Sequence, residues 1–222
     1  MSSTSTTSAR SSISRSAAVA ERRAAAGAAH RGDRPGRRRL AATAALSVAA
    51  VPVALALSDA HLAGASAALV ISTATAAVAV SVLALQPLLA GTGRVTRHRV
   101  LGATALALVL VHVGALFVES PSDALFAMSL DGPTRARMAL FATIALLAVV
   151  ALGTLKERLP LATSTWRVLH AYLAVVVIAL GIGHAVLTDG ALDGAGTPVL
   201  LALAAVGLLG VPVAHIARTR RR

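Results

Sequence analysis

Four of the chain's seven histidines are spaced to act in pairs. His98 and His112 bracket one apolar run, HRVLGATALALVLVH, and His170 and His184 bracket another, HAYLAVVVIALGIGH. Each pair is separated by fourteen positions. On a helix that separation is just short of four turns, so the two imidazoles project about 40° apart and lie about 21 Å apart along the axis. A neutral imidazole is a common metal ligand. Two of them from facing helices can fill both axial positions of a haem iron, which leaves no open position for oxygen or substrate and suits electron transfer. If the two helices run in the same direction, His98 faces His170 at one depth and His112 faces His184 at the other. The spacing therefore implies haem b, two copies if both pairs are filled and at least one otherwise.

The surrounding residues fit that reading. Gly181 and Gly183 lie within one turn of His184, and Gly102 lies one turn after His98, where a porphyrin needs close backbone approach. Ala103, Ala105 and Ala107 leave room on the same run. Haem propionates take cationic partners near the interface. Arg97, Arg99 and Arg167 suit the inner site, and Arg135 and Arg137 the outer one. Headgroup anchoring is the plain alternative for these arginines. Trp166 and Tyr172 read as interfacial anchors beside His170. His30 lies in the basic tail, and His61 and His215 read as structural.

Elements able to position such pairs must cross a bilayer. Hydrophobic residues make up 56% of the 222 residues and charged residues only 14%, against about 25% charged in a soluble domain. Six apolar runs of spanning length follow one another: Leu40–Ser58, Ser66–Ala90, Val100–Val118, Met138–Leu155, Val168–Leu187 and Pro198–Ile216. In lipid the backbone must satisfy its own hydrogen bonds, so helices are required. The fold class expected is an all-α, six-helix transmembrane bundle over residues 39–217. It is flanked by a disordered basic tail over residues 1–38 and a basic tail over residues 218–222. Pro52, Pro87 and Pro212 are candidate kinks.

Charge sets the expected orientation. Arg37–Arg39, the loop with Arg94, Arg97 and Arg99, the loop with Lys156, Arg158 and Arg167, and the final arginines alternate with loops carrying Asp59, then Glu119, Asp123 and Asp131, then Asp189 and Asp193. The positive-inside rule puts the basic segments and both termini in the cytoplasm of a bacterial inner membrane. Arg135 and Arg137 are the exceptions. The net charge of +12 is thus an orientation signal, and no nucleic-acid partner is expected. With no cysteine in the chain, disulfides, thiolate metal sites and iron–sulfur clusters are excluded. Aromatics at 2% leave no stacking platform for single strands.

With R-H-R-V-L-G opening the third run and W-R-V-L-H the fifth, the stretch from about 86 to 189 resembles the ferric reductase-like transmembrane domain family. That family includes ferric reductases, NADPH oxidases and the haem subunit of a periplasmic methionine sulfoxide reductase. The resemblance implies His98 with His170 and His112 with His184 as axial ligands of two b haems. The larger family members continue into flavin and nicotinamide domains. This chain has no G-x-G-x-x-G fingerprint, so a separate donor, flavoprotein or quinol, and an outer acceptor are expected. Two other readings remain open: a haem subunit of a periplasmic reductase complex with no turnover alone, and a haem-free transporter or structural membrane protein.

Overall fold

The computed structural model describes residue 47 and residues 50–91, 95–188, 190 and 192–219. The N-terminal tail, residues 220–222 and nine of the nineteen residues of the first apolar run lie outside these residues. Of that run, residues 50–58 are helical. Five long apolar helices follow, each of spanning length. They are α1 (Ala67–Gly91), α2 (Val95–Glu119), α4 (Thr134–Thr154), α5 (Thr163–Val186) and α6 (Gly196–Thr219), with a short α3 (Pro121–Ala127) between α2 and α4. The described residues are helix, turn and loop, with no strand among them. The chain is an all-helical, multi-pass membrane protein by the length and apolarity of these helices.

The surface makes the same point. Only 11% to 28% of each span's apolar window is buried inside the molecule. Leu110, Phe141, Ile144, Leu201 and Leu209 all project outward. A patch of this extent is untenable in water and natural against acyl chains. Because lipid is as apolar as leucine, the helices are held together by close packing of small residues. Gly207 and Gly210 illustrate this. A methyl group at Gly207 would meet Ile178 of α5 at 3.1 Å and the Ala84 backbone of α1 at 3.3 Å, and one at Gly210 would meet Pro87 at 3.1 Å. Pro87 and Pro212 both lie within helices.

α1 packs on α2 and α6, and α5 packs on α4 and α6. α2 and α5, which carry the histidine pairs, are not closely packed backbone to backbone. Between the two histidine levels, Ala145, Leu146 and Val177 are buried, with Leu83, Leu106 and Val109 packed against them. Val177 lies seven residues from both His170 and His184. Its counterpart on α2, Ala105, lies seven from both His98 and His112 and is fully buried. An apolar layer thus separates the two histidine levels. Ala103 and Ala107 instead face outward, because a 3.6-residue period cannot place alternate positions on one face.

The loop from α2 to α4 is more ordered than a sequence reading suggests. Pro121 opens α3, where its missing N–H costs nothing. Gly132 closes the loop against the carbonyls of Phe126 and Ala127, which a methyl group would approach to 2.8 and 2.9 Å. No larger residue fits there.

Candidate functional site

α2 and α5 each carry one histidine near either end. At the end marked by Arg97 and Arg167, the rings of His98 and His170 face each other with centroids 6.1 Å apart and planes 65° from parallel. Metal–imidazole bonds of about 2 Å, with each ring nitrogen about 1 Å from its ring centre, place two imidazoles on one metal with centroids roughly 6 Å apart. The observed spacing is therefore that of a pair able to share one iron. Both rings are partly buried.

His170 is held on two further sides. The indole of Trp166 stacks on it at 4.9 Å, with planes 19° from parallel. Gly153 of α4 lies beneath, where a methyl group would come within 3.7 Å of the His170 Cε1. The indole is itself fixed, since Nε1 donates to the Leu152 carbonyl at 2.9 Å. The Lys156 ammonium sits over its face at 4.9 Å, within cation–π range. The local sequence explains the stack: Trp166 and His170 are four apart on one helix and so share a face. Tyr172, by contrast, is exposed at 64% and points away from the pair, as an interfacial anchor would.

At the other end, His112 and His184 are oriented by backbone carbonyls. His112 Nδ1–H donates to the Ser72 carbonyl of α1 at 3.0 Å, with the Ser72 hydroxyl 2.8 Å from the same nitrogen. His184 Nδ1–H donates to the Arg135 carbonyl at 2.9 Å. A carbonyl only accepts, so each contact puts the ring proton on Nδ1 and leaves the Nε2 lone pair available in the neutral ring. Thr188 Oγ1 donates to the His184 carbonyl at 2.7 Å, so its oxygen near the ring is a further acceptor. This arrangement is characteristic of metal-ligating histidines.

No protein-family model, curated protein or solved structure matches this chain.

The arginines divide. Arg97 and Arg99 are exposed beside His98, and Arg167 is half-buried beside His170. Arg135 and Arg137 are exposed at the other end. Arg135 reaches His184 through its backbone carbonyl. The Arg137 guanidinium donates to the Thr134 hydroxyl at 3.1 Å. The glycines divide too. Gly181 has open space where a side chain would be, and it lines a small apolar gap with Val80 and Leu83. Gly183 is covered by Met138, whose Cε would lie 2.3 Å from an added methyl. That terminus is the far end of a flexible chain, free to swing aside.

Three further residues belong to the site. Ser72 orients His112, Trp166 braces His170, and Gln86 is buried in α1 at 8% exposure. The sequence does carry signals for Gln86 and Trp166. Gln86 is the one amide inside an apolar run, and W-x-x-x-H is a same-face pair; Ser72 is one of four hydroxyl residues in α1 and carries no such signal.

The residues present fit a bis-imidazole iron porphyrin. The rings of His98 and His170 have a suitable separation, and those of His112 and His184 a suitable tautomer. Among the described residues no cluster of three or more metal-ligating side chains occurs. A haem, which needs only two axial ligands from the protein, suits this donor set better than a bare ion.

Proposed function

We propose that the chain is a membrane electron-transfer protein that holds b-type haem between α2 and α5, with His98 and His170 as one axial pair and His112 and His184 as the other. The observation that carries the reading is the 6.1 Å separation of the His98 and His170 rings, together with the carbonyl-held Nδ1 atoms of the other pair. Iron with both axial positions filled supplies one-electron redox chemistry without binding substrate.

The chain's own residues do the rest. The Ser72 and Arg135 carbonyls fix the tautomer and plane of the outer imidazoles. Trp166 and Gly153 fix the inner one. The apolar spans exclude water, which keeps the donor nitrogens neutral and ready to ligate. Arg97, Arg99 and Arg167 offer cationic partners to the porphyrin's carboxylates at the inner level, and Arg135 and Arg137 at the outer.

The charge alternation supports the basic ends of α2 and α5 facing the cytoplasm, in the inner membrane of a bacterium. Electrons would then enter from a separate flavoprotein or quinol and leave outward to an acceptor, as in the ferric reductase-like family the chain resembles. A reduced-minus-oxidised spectrum of the purified protein tests the reading. Sharp b-type bands with up to two haems per chain are expected, and their absence overturns it.

A further inference from the structure

Gln86 is the one buried side chain amide in the described part of α1, and neither its Oε1 nor its Nε2 has a hydrogen-bond partner among the described residues. It is 8% exposed, within a helix of spanning length. A polar group left so is costly, and intramembrane polar residues are kept where they serve a site. Its direction is known. Nε2 lies 3.8 Å from the point where a side chain would begin on Gly102 of α2. Gly102 is one turn along α2 from His98, on the same face. The glycine leaves the space into which the amide points.

We propose that Gln86 is a positioning residue for the inner histidine pair, its carboxamide donating to an acceptor on the group that His98 and His170 hold. This rests on the haem reading above. A porphyrin is apolar except for its two carboxylates, and an amide N–H is a natural donor to a carboxylate. Such a donor spreads negative charge away from the iron and favours the reduced state. No equivalent amide lies within α5 or α6, so the influence falls on the inner level alone.

The test is a potentiometric titration of the full-length, haem-loaded protein, following the b-type bands in wild type, Gln86→Leu and Gln86→Asn. Gln86→Leu removes the amide without adding a buried polar group, so it is well tolerated in the spans. One of two resolved components is expected to fall in Gln86→Leu by about tenfold in its reduction equilibrium, or about 59 mV for one electron. The other component stays, and haem content is unchanged. Gln86→Asn, with its amide withdrawn by one methylene, moves the same component by less. Unchanged potentials in both variants overturn the inference while leaving the haem reading intact, as does an equal shift of both components. A wild-type protein without b-type bands removes both.

Discussion

Trp166 lies flat against His170, with ring centroids 4.9 Å apart and planes 19° from parallel. The Lys156 ammonium lies over the indole, 4.9 Å from its centre. The indole N–H is anchored on α4 at the Leu152 carbonyl. One aromatic side chain therefore links the α4–α5 loop, the α4 backbone and a candidate ligand, and it fixes the plane of that imidazole.

Trp166→Ala is expected to destabilise the protein by about 2 kcal/mol, less than a fully buried tryptophan costs because the ring is only half-buried. It should also alter the low-temperature electron paramagnetic resonance of one haem component, since that signal reports imbalance between axial ring planes. Trp166→Phe restores the stack but not the hydrogen bond. It should recover the resonance and leave about 1 kcal/mol of the thermal-unfolding deficit.

The pairing makes a stoichiometric prediction. His112→Ala and His184→Ala should each remove one haem per chain, and the double variant should remove no more than either alone. His98→Ala and His170→Ala should behave as a second such set. Haem-to-protein ratios of purified variants check this. Full haem content in any single variant removes that histidine from the ligand set.

Ser72 contacts His112 through both hydroxyl and carbonyl, and substitution deletes only the former. Ser72→Ala should therefore weaken haem retention at the outer level by less than tenfold, below the 10- to 100-fold common for lost outer-shell partners. Competition for haem by apomyoglobin measures it. A loss of 100-fold or more would show that the hydroxyl, not the carbonyl, orients the ring.

Gly207 sits where α1, α5 and α6 meet, and an added methyl would press on the Ala84 backbone at 3.3 Å. Backbone cannot swing aside as a side chain does. Gly207→Val is expected to cost about 1–3 kcal/mol, read by thermal unfolding in detergent. Gly183→Ala meets only the Met138 terminus, so pairing it with Met138→Ala should cancel most of its effect in a double-mutant cycle.

Much of this arrangement is legible in the residues alone. Five of the six apolar runs correspond to long helices because twenty apolar residues in lipid have one backbone solution. Of the first run, the described residues include the helical stretch 50–58. The fourteen-residue spacing gives the two levels, since helical rise and period are fixed numbers. Side-chain direction in the third dimension is not fixed by period. The carbonyls of Ser72 and Arg135 reach the histidines from helices remote in sequence, and the role of Trp166 depends on where α4 lies. Those contacts follow from how the helices pack, which composition does not encode. The short α3 escapes a reading by apolar period because seven residues complete barely two turns.

Ala105, Leu146 and Val177 set an apolar layer between the two histidine levels, beside the buried Ser81 hydroxyl, which donates to the Ala77 carbonyl. On the proposed haem reading, an electron passing between the two levels crosses part of the membrane thickness. Its transit is then work against, or with, the membrane voltage, about 2.3 kcal/mol for each charge per 100 mV across the full thickness. The energised state of the cell would thereby set how readily the outer level fills.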